Sequence, residues 1–379
     1  MKGPSSLIAD LVCPLTHKRL RKVPLAEARA RIAGGAPLRA RLGAGKVSAV
    51  GETDPVLLRE DNGVAYPIAS NVPVVLGPEV LANPRAPPTS DLSAPQYAEA
   101  HLEMEFYNRI RFAEAEALRR AGSLLAVSGN EALPHLERLR LRSSTERDSF
   151  PKPPAVWLHA RLDLQSEYDC YRHIGSVKGR RVLQLGGSGT AILALLLAGA
   201  SEAVLLTPML GEAQTALEVA KLLGMQDRFR CVIAVAEEIP LANESVDVVF
   251  SGGCVHHMRT EIAFPAIARV LRAGGRFAAL EPWRAPFYIL GTRLLGKREA
   301  NPFCRPITPA TVAPLFDAFS VARYELHGTL TRYPMLGIQK FGLITPQHVA
   351  WGIGRADDWL CSHLGLRRYG SGVALLAEK

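Results

Sequence analysis

Cysteine is scarce in this chain, and no two cysteines stand close together. The six in 379 residues are Cys13, Cys170, Cys231, Cys254, Cys304 and Cys361, with no C-x-x-C spacing among them. That pattern argues against a structural zinc cluster and predicts a metal-free protein in a reducing compartment. Long apolar runs are lacking too. The longest, around Ala191–Ala200, falls well short of the roughly 20 residues a membrane helix needs. No basic stretch followed by an apolar one opens the sequence, so a cytoplasmic, soluble protein with no membrane partner is expected. Aromatics make up only 7% of the residues, and no dense Lys/Arg block is interleaved with them. The formal net charge is +9, but the basic residues are dispersed over Lys18–Lys22, Arg29–Arg41, Arg138–Arg147 and Arg293–Arg305. A dispersed surplus reads as a solvated basic surface. Nucleic-acid contact is permitted by it and not favoured.

Against these absences stands a hydrophobic content of 48%, enough for a sizeable core, in a length that suggests two or three domains. The most informative stretch is Arg181–Gly189, RVLQLGGSG. An apolar strand, Val182–Leu185, runs into the turn Gly186-Gly187-Ser188-Gly189, and an apolar helix, Thr190–Ala200, follows. A strand, a glycine turn and a helix bring backbone up against a nucleotide-like ligand in open α/β sheets. Alone, this also fits nicotinamide or flavin enzymes. Downstream the alternation continues: Ala203–Thr207 as strand, Gly211–Leu223 as helix, Arg230–Val235 and Ser245–Phe250 as strands, Thr260–Leu271 as helix and Arg276–Glu281 as strand. Such alternation predicts parallel βαβ units.

Taken together, VLQLGGSG, AEEIPLANESVDVVFS, VHHM and IARVLRAGGRFAALEP over residues 165–285 resemble the class I S-adenosylmethionine-dependent methyltransferases, in their methyltransferase-11-like group. The resemblance implies an α/β fold: a Rossmann-like seven-stranded sheet with a helical cap, here joined to a small N-terminal α+β domain. It implies S-adenosylmethionine as cofactor, held by Gln184, Gly186, Gly187, Ser188, Gly189, Thr207, Pro208, Met209, Ala236, Glu237, Gly252 and Gly253. Three positions depart from the family pattern. Gln184 stands where an acid usually precedes the first glycine, Thr207 where an acid usually ends the second strand, and Val235 where Asp usually precedes the alanine of the adenine segment. A charge-assisted hydrogen bond is worth about 1.5–3 kcal/mol. Either donor binding is rebuilt from other residues, Glu212 among them, or this domain has drifted from donor use.

Residues 1–82 read as a separate unit. Leu11–Thr16 reads as a short strand entering a turn, and Ala26–Arg41 as a basic helix or loop insertion. The CPLT, YPI and PVVL segments resemble the zinc-ribbon-derived domain that activates several methyltransferases as a separate subunit. Thr16 stands where a second zinc cysteine would be, so this version is expected to be metal-free. Residues 83–95 form a proline-rich linker, 96–175 a helical cap, and 176–379 the methyltransferase domain, with a helical insertion near 336–364.

Methyl transfer from a sulfonium is an in-line displacement governed by proximity and alignment. A base is needed only where the acceptor must lose a proton. His256 and His257, just past the fourth strand, are the candidate bases, since an imidazole titrates near neutrality. Glu281, ending the fifth strand, is a candidate for binding a substrate amine or taking a proton, and Arg284 for holding a carboxylate or phosphate. Gln165, Tyr168, Tyr288, Arg332 and Tyr333 are candidate substrate contacts. The favoured reading is methyl transfer to a small-molecule acceptor, amino-acid-like or a natural product. RNA or translation-protein methylation, a catalytically silent binding protein, and transfer of the donor's aminocarboxypropyl arm stay open beside it.

Overall fold

The computed structural model describes residues 10–14, 16–32, 39–41, 47–49, 54–76, 81–82, 114–127, 164–286, 305–341 and 347–379. The expected linker at 83–95 and Tyr288 lie outside them.

The N-terminal unit is a small antiparallel sheet. It runs β1 (Leu20–Pro24), α1 (Leu25–Arg31), β2 (Arg39–Arg41), β3 (Val47–Ala49), β4 (Pro55–Arg59), β5 (Val64–Ala69), β6 (Val72–Pro73) and β7 (Leu81–Ala82). The strand order is β1-β4-β5-β6, with β7 on β5 and a separate β2–β3 pair. The expected strand over Leu11–Thr16 is shorter than read. Among its described residues, Leu11 and Val12 bridge to other chain segments, and the backbone turns at Cys13, where the His17 N–H donates to the Cys13 carbonyl at 2.8 Å.

Two helices precede the large sheet, α2 (Glu114–Val127) and α3 (Leu164–Ile174). The sheet itself alternates with helices: β8 (Arg181–Leu185), α4 (Thr190–Leu197), β9 (Glu202–Thr207), α5 (Leu210–Leu222), β10 (Phe229–Ile233), β11 (Val246–Gly252), α6 (Thr260–Val270) and β12 (Leu271–Pro282). After it come α7 (Pro309–Ala318), β13 (Val321–His327), α8 (Arg332–Lys340), α9 (Gln347–His363) and β14 (Gly372–Glu378). The order across the sheet is β10-β9-β8-β11-β12-β14-β13. The first five are parallel, and β14 is antiparallel to β12 and β13. This is the seven-stranded class I arrangement. All five residues of β8 are buried, as a central parallel strand covered on both faces requires.

One helix layer packs Ile192–Leu196, Ala213, Ala216 and Val219 on the sheet together with Tyr171 and Ile174. The other face takes Phe264, Ile267, Val312 and Leu315. Leu11, Leu57, Tyr66 and Val75 of the N-terminal unit join Val232, Ala234, Ile239 and Leu241 in that second core. The two sheets also exchange backbone hydrogen bonds. Val75 N–H donates to the Ile233 carbonyl at 2.8 Å and Val12 N–H to the Pro240 carbonyl at 3.1 Å.

The strand order reverses between β8 and β11. In open α/β sheets the crevice outside the carboxyl ends of the strands at such a switch point is the ligand position.

Candidate functional site

The turn joining β8 to α4 is built on left-handed backbone. Gly186, Gly187 and Gly189 have φ of 68°, 73° and 77°, values that side-chain-bearing residues seldom adopt. At Gly186 space is closed as well. A Cβ there would stand 2.6 Å from Cys254 Sγ and 2.8 Å from Cys254 Cβ, so glycine is what lets this turn touch the loop leaving β11.

Gln184 does not face the crevice as expected. Its Nε2 donates to the Gly186 carbonyl at 2.8 Å, and its Oε1 accepts from Ile192 N–H at 2.8 Å. The amide spans the turn and satisfies one of the open N–H groups of α4's first turn, so the side chain braces the turn from within. Thr207 is likewise internal, 0% exposed, with Oγ1 accepting from Met209 N–H at 3.3 Å at the start of α5. Glu212 is turned toward α2. Arg120 Nη1 lies 2.6 Å from Glu212 Oε2 and donates to the Ser188 carbonyl at 3.3 Å, while Arg120 Nε bonds Glu116. Neither Gln184, Thr207 nor Glu212 therefore restores a missing acidic contact in this arrangement.

Gly187, Ser188, Pro208, Met209, Glu237 and Gly253 are half-buried at the crevice, Gly252 is exposed, and Ala236 is buried behind them. Glu237 Oε1 accepts from Arg259 N–H at 2.7 Å, tying the turn Ala236–Glu238 to the start of α6.

The histidines follow β11 in the short turn Val255–His257. Glu281, the penultimate residue of β12, sits beneath them at 1% exposure. Its Oε1 accepts from Cys254 N–H at 2.9 Å and Val255 N–H at 2.7 Å, and its Oε2 accepts from His256 N–H at 3.4 Å and His256 Nδ1 at 2.6 Å. Four donors fill a carboxylate. This corrects the expectation that Glu281 meets substrate: it is spent on the turn and on one imidazole. Because an ionised carboxylate only accepts, the His256 proton is assigned to Nδ1, and Nε2 is the ring's acceptor nitrogen. The His257 ring centre lies 4.0 Å from that of His256. Arg284, just beyond β12, is exposed.

The expected substrate contacts divide. Gln165 and Tyr168 on α3 are buried under α9. Gln165 Nε2 donates to the Trp351 carbonyl at 3.3 Å, and the Tyr168 ring meets the Trp351 ring edge-on at 5.1 Å. A Cβ at Gly354 would collide with the Gln165 amide, so this glycine lets α9 seat on α3. The pair thus anchors the insertion and does not line open space. Arg332 and Tyr333 begin α8, both half-buried, and burial pushes the Tyr333 phenol above its ordinary value.

Sequence reasoning missed Arg120 and Cys254. Arg120 lay in a stretch read as helix, and nothing local marks a partner ninety-two positions away. Cys254 follows the Gly252-Gly253 pair, and that position was the available signal.

A family model described as "Methyltransferase domain" matches residues 183–279. Residues 183–279 are a methyltransferase domain. The match runs from β8 through β12 and includes the glycine turn, both histidines and the carboxyl-edge crevice. The matched segment supports a methyltransferase enzyme. No curated protein matches the chain. Among solved structures, it is similar to a geranyl diphosphate C-methyltransferase from Streptomyces coelicolor A3(2), at 16% identity and TM-score 0.44, over 65% of this chain and 98% of that one. It is also similar to a putative sarcosine dimethylglycine methyltransferase from Galdieria sulphuraria, at 16% identity and TM-score 0.42, over 58% and 85%. A third similar structure is the [4+2]-cyclase SpnF, at 17% identity and TM-score 0.40, over 57% and 81%.

Proposed function

We propose that this methyltransferase domain acts on a small-molecule acceptor, amino-acid-like or a natural product, at an atom that must lose a proton, with His256 as the base. The carrying observation is the 2.6 Å contact between His256 Nδ1 and Glu281 Oε2. An acceptor that attacks through a ready lone pair needs no base. A buried carboxylate bonded to one imidazole nitrogen fixes the ring's tautomer and supports the imidazolium that forms when the other nitrogen takes a proton.

S-adenosylmethionine, when bound, supplies an activated methyl group. The residues fit it through backbone more than through charge. Gly186–Gly189 would hold it at the switch point, with Pro208, Met209, Ala236 and Glu237 on one side and Gly252-Gly253 on the other. Gly253 supports this placement, since a Cβ there would meet nothing within 4 Å. His256 Nε2 takes the acceptor's proton, and Glu281 acts as a positioning residue. The exposed Arg284, at the same edge as Arg332 and Tyr333, is assigned to an anionic group of the acceptor.

Calorimetric binding of S-adenosylhomocysteine tests the donor site, and His256→Ala tests the base. The expected result is unchanged affinity with turnover lowered about 10²–10⁴-fold. A folded wild-type chain that binds no S-adenosylhomocysteine would sink the donor assignment. Wild-type turnover in His256→Ala would sink the base alone.

A further inference from the structure

Inside the N-terminal unit, two turns face each other around a buried cation. The first begins at Cys13. The second begins at Arg59, and the Asn62 N–H donates to the Arg59 carbonyl at 2.8 Å. Cys13 and Arg59 are both 0% exposed. Arg59 Nη1 donates to Cys13 Sγ at 3.6 Å, Arg59 Nε donates to Asp61 Oδ1 at 2.7 Å, and the Tyr66 hydroxyl lies 3.4 Å from the same sulfur. Arg59 Nη2 is buried with no hydrogen-bond partner. A Cβ at Gly63 would collide with Nη2, so the second turn needs glycine to seat the guanidinium.

The zinc-ribbon resemblance of this unit implies a metal gripped by two such turns. The donor set does not fit one. Cys13 is its single sulfur, and Thr16 stands in the second position. Arg59, which opens the second turn as Cys13 opens the first, carries only donors and cannot ligate a cation. Among the described residues, no cluster of three His, Cys, Asp or Glu is placed to hold a metal.

We propose that the Arg59 guanidinium takes the place of the metal: it is a built-in cation between the two turns, with the Asp61 carboxylate as its counter-ion and the Cys13 sulfur as its second acceptor. A guanidinium keeps its proton in any protein environment, so once buried it must find anions. Asp61, at the rim, supplies one, and its carboxyl is held down to about 2. The Cys13 sulfur meets a second arm of the guanidinium at 3.6 Å. Burial pushes the Cys13 thiol up, and bonds from Thr16, Tyr66 and Arg59 more than offset it, leaving the thiol below its ordinary value. Lys18, at 2.9 Å from Asp61 Oδ2, faces the cluster from the first turn, and Glu238 of the Ala236–Glu238 turn acts on Tyr66 from the other side. The pair has a reach beyond its own unit. Cys13 directly follows Leu11 and Val12, which bond the Pro240–Leu241 segment next to the Ala236–Glu238 turn of the crevice.

Two measurements on the full chain test this. The first is zinc content after expression with added zinc. Wild type is expected to retain only substoichiometric metal. Thr16→Cys/Arg59→Cys, which presents three sulfurs beside Asp61, is expected to retain about one zinc per chain. The second is ultraviolet titration of thiolate, taken as wild type minus Cys13→Ser. The Cys13 signal is expected to appear below the ordinary thiol range, and Arg59→Met to shift it upward by at least about tenfold in proton concentration. Stoichiometric zinc in wild type, or a Cys13 thiol titrating at or above its ordinary value, overturns the proposal. The zinc content of the unaltered chain decides the matter even where a variant fails to fold.

Discussion

His327 Nε2 and Asp169 Oδ2 stand 2.9 Å apart, joining the end of β13 to α3, while Asp358 of α9 meets the same ring's Nδ1 at 2.9 Å. An imidazole donating to two carboxylates carries both protons. The ring is a cation clasping three elements, and α9 belongs to the insertion beyond the minimal fold. Next to it Asp357 accepts from Leu330 N–H, Thr331 N–H and the Thr331 hydroxyl, so successive acids on α9 secure the approach to α8.

The clasp gives stability a pH dependence of definite sign. Burial alone would lower the His327 pKa, but the bonds to Asp169 and Asp358 outweigh it and hold it at about 9. A folded value above the ordinary 6.5 means the contribution is complete below about 6.5 and is lost as pH rises through about 9. We expect stability to fall by up to about 3 kcal/mol across that window. In His327→Gln the slope should flatten, as read from denaturation midpoints at several pH values. A variant as pH-sensitive as wild type would show that the ring is not the titrating group.

Gly186→Ala should weaken binding of S-adenosylhomocysteine by more than about tenfold and cost about 1–2 kcal/mol from left-handed backbone alone. Contact with Cys254 adds to that. Gly186→Ala/Cys254→Gly should recover the contact part and keep the backbone part. Thermal melts and calorimetry on the three variants separate the two. Equal affinity in Gly186→Ala and wild type would remove the glycine turn from the donor site.

Arg120→Ala leaves Glu212 buried without its cation, which costs about 3–5 kcal/mol where such pairs are desolvated. Side-chain exposures of 14% and 7% put this pair in that class. A double-mutant cycle with Glu212→Gln, read by urea denaturation, should return a coupling above about 1 kcal/mol. Additivity would show that α2 is held by its apolar contacts alone.

What the sequence made legible was local. The apolar run of β8, its glycine turn and the helix after it are adjacent in the chain, and their alternation with later strands carried the parallel sheet. The misreadings share one physical cause. Glu281 was placed correctly at the carboxyl edge, but three backbone N–H groups from a turn twenty-five or more residues earlier fill its oxygens. Gln184 was noticed as a missing acid, while its bond to Ile192 depends on how tightly the turn folds back. Cys13 was counted as a lone cysteine because Arg59 carries no sulfur. Pairings such as Arg120 with Glu212 and His327 with Asp169 leave no periodic trace.

The bridge between Leu11 and Leu241 also bears on how the chain is made. Leu11 leaves the ribosome long before its partner, and the β10 edge that receives Val75 comes late as well. The N-terminal sheet can pair its own strands early, yet its apolar face stays open until β8, β9, β10 and the segment after them have been synthesised. Closure of that seam is thus a late event in biogenesis. A nascent chain stalled before Leu241 would expose Leu11 and Tyr66 as a landing place for chaperones.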